Sequence, residues 1–176
     1  VSLSLSFERL TPAEQHTLTC LAVWRTPFDD AGAQKVAALA PAGWAAACQT
    51  LRTRSLLYQD AERYWFHPLV RDFGLARLAA PAATQRRAAQ FLQERWQDGY
   101  PVTPQEALAL PLHWLAADDW PAAASAGSQL VAQEASLDSI GFWSEIAAVL
   151  KTLLHEPPDD QGERVVDLWV RLSSLE

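Results

Sequence analysis

Leu56-Leu57-Tyr58-Gln59, then Asp60-Ala61-Glu62-Arg63, then Tyr64-Trp65-Phe66-His67 ahead of Pro68, is the stretch that decides the fold. Two short apolar and aromatic runs flank a polar turn, which is the pattern of a β-hairpin. Elsewhere the composition favours helix: glycine is scarce at 7, β-branched runs are nearly absent, and alanine, leucine and glutamine dominate. Upstream, Thr11-Pro12-Ala13-Glu14 is a capping box with proline at the first helical position, and Leu18, Leu21, Ala22 and Trp24 give that helix an apolar face. Asp29 or Asp30 can cap a short helix through Val36 and Leu39. After the break at Pro41-Ala42-Gly43, Trp44, Cys48 and Leu51 mark the inner face of the next one. Pro68 opens a closing helix with Leu69, Phe73, Ala76 and Leu78 along one side. Helices followed by a hairpin are the winged-helix plan, a helix-turn-helix with an added ribbon.

Ala79-Ala80-Pro81-Ala82-Ala83 reads as a junction, so the chain divides into a winged-helix domain over 1–80 and a helical region over 81–176. Helices are predicted over 84–97, 104–117, 120–134, 139–155 and 160–174. Thr103-Pro104-Gln105-Glu106 repeats the capping box, and Ile140, Trp143, Ala147, Leu150 and Leu154 follow helical spacing. Pro111 is expected to kink or interrupt its helix. The helix pairs that begin near Pro104 and Ser139 lie close to the ~34-residue period of tetratricopeptide repeats, without the signature residues of that repeat. The fold class is therefore mainly α: a winged helix followed by a tetratricopeptide-like array of helical hairpins.

The chain has 176 residues, 49% hydrophobic and 20% charged, enough to bury a core. Its net charge of -7 is uneven: residues 1–80 hold 8 Lys/Arg against 7 Asp/Glu, and residues 81–176 hold 6 against 14. An acidic second half argues against wrapping nucleic acid or anionic lipid. No run of about 18 apolar residues and no signal segment occurs, so a cytoplasmic protein with no membrane span is expected. The chain opens at Val1 and contains no methionine, which reads as a piece of a longer protein. Cys20 and Cys48 sit among apolar residues and read as buried reduced thiols, with a disulfide the alternative.

Tyr64-Trp65-Phe66-His67-Pro68-Leu69-Val70-Arg71-Asp72-Phe73 resembles the end of the winged-helix domain in STAND-class signalling ATPases, the NB-ARC group that includes plant resistance proteins and the apoptotic protease-activating factor. Leu3-Ser4-Leu5-Ser6-Phe7-Glu8-Arg9-Leu10 looks like that family's helix entering the domain. Leu18 to Trp24 with Phe28 is similar to its "L..LAVF...F" core, and Leu51-Arg52-Thr53-Arg54-Ser55-Leu56-Leu57 resembles its "L..RSLL" run. In that family a histidine at the wing–helix junction reaches the terminal phosphate of bound ADP and helps hold a closed, inactive state. The matching position is His67. The family pattern continues with aspartate where Pro68 stands here, so no role is carried over to that position. The stretch Pro111 to Trp120 is similar to a helix-turn-helix step in the superhelical sensor of MalT-type activators, themselves STAND proteins.

The resemblance implies a regulatory, non-catalytic piece whose partners are a nucleotide-binding module before it and sensor repeats after it. ADP or ATP is implied for the full-length protein only: no G-x-x-x-x-G-K-[ST] loop occurs in this sequence, so no cofactor is expected on this piece alone. The plainer reading of His67 is a strand end with its ring hydrogen-bonded locally. The runner-up function is a DNA-binding transcriptional regulator, with Gln49, Arg52 and Thr53 of the Trp44–Ser55 helix as base contacts. Arg52 and Arg54 also suit the C-terminal end of a helix dipole, and so thin a patch neutralises few phosphates, so nucleic-acid binding is not expected. His16, His113 and His155 lack metal-ligand spacing, Asp118-Asp119 reads as a helix cap, and no nucleophilic triad is visible. Trp114 and Trp120 read as interhelical packing, with an exposed anchor for a protein partner as the sharper alternative.

Overall fold

The computed structural model describes residues 3–132 and 142–175. In chain order the elements are α1 (Leu3–Glu8), α2 (Pro12–Leu21), α3 (Asp30–Ala37), α4 (Pro41–Thr53), β1 (Tyr58–Asp60), β2 (Arg63–Trp65), α5 (Pro68–Leu75), α6 (Pro81–Gln97), α7 (Pro104–Ala116), α8 (Trp120–Ala132), α9 (Trp143–Leu153) and α10 (Gly162–Ser173). The fold is mainly α with one two-stranded antiparallel sheet, in the order of a winged helix followed by helical hairpins. Two compact units form, Val1–Phe91 and Leu92–Glu176, and the division falls inside α6. The predicted continuation of α8 through 133–134 and the start of α9 at 139–141, Ile140 included, lie outside the described residues.

In the first unit α2 is the central helix, packed by α3, α4 and α5. The reciprocal capping box is present: the Thr11 hydroxyl accepts from the Glu14 amide, and the Glu14 carboxylate accepts from the Thr11 amide at 2.8 Å. Leu18, Leu21, Ala22 and Trp24 are all buried, as are Trp44, Cys48 and Leu51 of α4. Phe28 is the hub of the aromatic core, with ring centroids 5.9 Å from Trp24, 6.0 Å from Tyr64 and 6.1 Å from Phe66. Its backbone also exchanges two hydrogen bonds with Tyr64, 2.9 and 2.7 Å, so the segment after α2 lies against the wing as a one-residue third strand.

Two local expectations need correction. The hairpin is tighter than the four-residue turn read from the sequence: Tyr58 pairs Trp65 and Asp60 pairs Arg63, leaving Ala61-Glu62 as the turn. Ala61 takes a left-handed φ of 49°, and the Gln59 side-chain amide donates to its carbonyl at 2.8 Å, which holds the turn without glycine or asparagine there. On α5 the buried face is Val70 and Gly74, not Leu69, which is 69% exposed. Gly74 permits that close approach: a Cβ there would lie 2.7 Å from the Ala22 Cβ.

In the second unit α7 packs on α8, and α8 on α9 and α10, which gives the stacked hairpins of a helical array. The Thr103–Glu106 capping box forms as the sequence predicts. Pro111 does not interrupt α7, which runs from Pro104 to Ala116. Proline removes one donor from the ladder, and the buried packing of Ala107, Leu110, Pro111 and Trp114 against neighbouring helices outweighs that loss. Trp114 and Trp120 are buried. Their indole N–H groups donate to the Gln93 side chain and to the Leu153 carbonyl, each at 2.9 Å, so neither is an exposed partner anchor.

Candidate functional site

β2 ends at Trp65, Phe66 enters the core, and the next residue, His67, caps the start of α5. Its Nδ1 accepts from the Leu69 amide at 3.2 Å, and its carbonyl accepts from the amides of Val70 and Arg71 at 2.9 and 3.0 Å. An imidazole nitrogen that accepts carries no proton, so the neutral ring holds its proton on Nε2. Leu69 and His67 are both exposed, and that Nε2–H is available to an outside acceptor. The local bond of the plainer reading and the outward donor of the sharper one therefore coexist on one ring.

Beside this junction lies a cleft of about 320 Å³. Arg25 and Thr26 reach it from the segment between α2 and α3, Arg71 reaches it from α5, and Phe28, Trp65 and Pro68 supply apolar wall. Arg71 sits one helical turn beyond His67, on the amide that the His67 carbonyl accepts. Sequence reasoning missed Arg25 and Arg71. They stand far apart in the chain, and the packing of α5 on α2, together with the Phe28–Tyr64 pairing, brings the two segments together.

Gln49, Arg52 and Thr53 are exposed on α4 and line a second cleft, of about 810 Å³, between α4 and the wing. Asp30, Trp44 and Tyr64 share it. Asp30 accepts from the Trp44 indole at 2.6 Å. Burial first, then the bond to Asp30, pushes the Tyr64 phenol upward, so it stays protonated. The Thr53 hydroxyl donates back to the Gln49 carbonyl at 2.8 Å, and Arg52 is the basic residue in the last turn of α4. Cys20 and Cys48 are free and buried, and burial pushes both thiols up, which disfavours the reactive thiolate. Asp119 accepts from the Ala122 amide at 3.2 Å, the capping role read from Asp118-Asp119.

Among the described residues no group of three or more His, Cys, Asp or Glu is arranged to hold a metal ion, and no helix is long and apolar enough to cross a membrane. A different exposed feature escaped the sequence reading: Val166, Trp169 and Val170 share one face of α10 and are 62%, 53% and 65% exposed. The only signal for it was an α10 apolar on more than one side, since Leu168 and Leu172 carry the buried face.

The arrangement defines a class of fold, a winged helix with its wing bridged to the preceding loop and an array of helical hairpins after it. The crystal structure of a signal transduction ATPase with numerous domains (STAND) protein with a tetratricopeptide repeat sensor, from Pyrococcus horikoshii, has a similar fold, with a TM-score of 0.65 and 16% identity. The likeness covers 96% of this chain and 26% of that one, so the chain spans about a quarter of that protein's length. At this identity the likeness is one of fold. No protein-family model matches the sequence, and no curated protein matches it.

Proposed function

We propose that this chain is the regulatory, non-catalytic segment of a STAND-type signal transduction ATPase. In this reading a nucleotide-binding module precedes the winged helix and holds ADP, and His67 donates its Nε2–H to a phosphate oxygen in the closed state. The helical hairpins link the winged helix to a ligand or partner sensor. The observation that carries the reading is the exposed histidine at the wing–helix junction whose Nδ1 is occupied by the Leu69 amide, which leaves the ring's remaining proton on Nε2. The exposed Leu69 beside it suits a surface that another module covers. A hydrogen bond to a charged acceptor contributes roughly 1.5–3 kcal/mol, enough to bias a two-state element without fixing it. The segment then transmits the state of one site to another by moving as a unit, with no bond chemistry of its own. The test is the rate of ADP release from the intact protein carrying His67→Asn: the reading predicts faster release, and an unchanged rate overturns it.

A DNA-reading role for Gln49, Arg52 and Thr53 is the less supported alternative. The three are exposed, but the acidic Asp30 lines the same cleft and α4 offers Arg52 as its only basic residue. Direct base readout needs phosphate contacts to position it, and this face supplies few.

A further inference from the structure

We propose that the cleft walled by Arg25, Thr26 and Arg71 is a phosphoryl-binding subsite of the winged helix, distinct from the His67 donor. The Nε of Arg71 and the hydroxyl oxygen of Thr26 are both buried and have no hydrogen-bond partner among the described residues. Buried polar groups are almost always paired in folded proteins, so two orphaned atoms on residues that line one cleft call for a partner there. That partner must accept from the guanidinium, and an anion does so best. Arg71 is also short of compensation. Its terminal nitrogen meets the carboxylate of Asp72 at 3.1 Å, but that aspartate is largely exposed and leaves Nε untouched.

Arg25 supplies the second charge. The residue is exposed as a whole, yet burial around its guanidinium first, and the charge of Arg71 second, both disfavour its cationic form. Arginine does not give up its proton in water, so two cations share one cleft with only the exposed Asp72 carboxylate on Arg71 to offset them. An anion between them relieves the repulsion, and the apolar wall of Phe28, Trp65 and Pro68 strengthens its attraction by excluding water. A phosphoryl group fits better than a carboxylate. Its oxygens are tetrahedral and can accept from Arg25, Arg71 and Thr26 at once, whereas a carboxylate offers two oxygens in one plane to a single guanidinium.

The phosphoryl group can come from a nucleotide or from free phosphate. The nucleotide as source rests on the reading of His67, but the subsite does not. Inorganic pyrophosphate is therefore titrated into the 176-residue chain while the Nε–H resonance of Arg71 is followed by NMR. A saturable shift is expected at about millimolar concentration, with affinity falling about ten-fold or more in Arg71→Gln and in Arg25→Gln. Thr26→Val, which keeps the side-chain shape, should weaken binding less than either arginine substitution. Thermal melts of each variant confirm that it is folded. An Arg71 Nε–H that does not move, or affinities unchanged in both arginine variants, overturns the subsite. Loss of binding in His67→Asn with the arginine variants unaffected overturns it too, placing the anion on the imidazole instead. Pyrophosphate bound by the arginines, together with ADP release in the intact protein that ignores His67→Asn, upholds the subsite and removes the His67 switch. Failure of ADP, added in place of pyrophosphate, to shift the same resonance would assign the subsite to free phosphate.

Discussion

Because Nδ1 of His67 accepts the Leu69 amide proton, replacing this residue removes a helix cap and an outward donor together unless the substitute is itself a cap. His67→Ala is expected to cost the first unit about 0.5–2 kcal/mol, the usual price of a lost N-cap. His67→Asn keeps an acceptor for the amide and should cost little. For a unit of this size each kcal/mol shifts the melting midpoint by roughly 4–8 °C, so thermal melts separate the two variants. Equal melting of His67→Ala and wild type would mean that the cap contributes nothing. Glycines give a second contrast. A Cβ at Gly74 would lie 2.7 Å from the Ala22 Cβ, an atom with no rotamer to change, and 3.0 Å from a Leu18 methyl. At Gly127 it would meet the Leu153 and Leu150 methyls at 2.8 and 3.3 Å, which can rotate away. Gly74→Ala is therefore expected to destabilise by about 1–3 kcal/mol through overpacking, and Gly127→Ala by less. Denaturant unfolding of the two variants checks the order, and a larger loss at Gly127 would contradict it.

Helix starts were the most legible elements, because a capping box is a local device that the sequence spells out. Both Thr11–Glu14 and Thr103–Glu106 close reciprocally, and Asp29 caps α3 through the Gly32 amide at 2.8 Å. What was not legible depends on contacts between distant segments. The Phe28–Tyr64 bridge, the choice of Val70 and Gly74 over Leu69 as the inner face of α5, and the continuity of α7 through Pro111 are all decided by tertiary packing. The tight Ala61-Glu62 turn carries no glycine or asparagine to announce it. His67 was legible as a residue, but the cleft of Arg25 and Arg71 beside it was not. One cap and one ion pair also set a pH dependence. The Thr11 amide, then the Thr50 side chain, holds Glu14 below its ordinary 4.5, and Arg171, then Ser128, holds Asp167 below its ordinary 3.8. A depressed folded value stabilises fully above the unfolded value and is lost as pH falls through the folded one. Melting temperature should thus hold steady above about pH 5 and fall progressively below about pH 4. Glu14→Gln should make the acid fall of the first unit shallower, and an unchanged acid limb would mean that this carboxylate does not contribute.

At the scale of the whole molecule the sequence conveyed the order of parts, a winged helix and then helical hairpins, and the fold bears that order out. Ala79–Ala83 carries the composition of a junction, and the division into two compact units falls within α6, between Phe91 and Leu92. A helix can cross such a division because its backbone bonds are satisfied along its own length, so composition gives no mark where packing changes hands. The exposed Val166, Trp169 and Val170 face of α10 likewise reflects what a helix lacks on one side, which periodicity alone does not show. The functional account turns on one proton of one ring, at the junction where the wing hands the chain to α5. Its most direct test is ADP dissociation from the intact protein, wild type against His67→Asn, beside melts of this 176-residue chain with the same substitution. Loss of a charge-assisted bond of roughly 1.5–3 kcal/mol should speed release by about 10- to 150-fold. The melts should be nearly unchanged, because asparagine keeps the cap. Unaltered ADP release, with or without a lowered melting temperature, would show His67 to be a structural cap alone and would contradict the account.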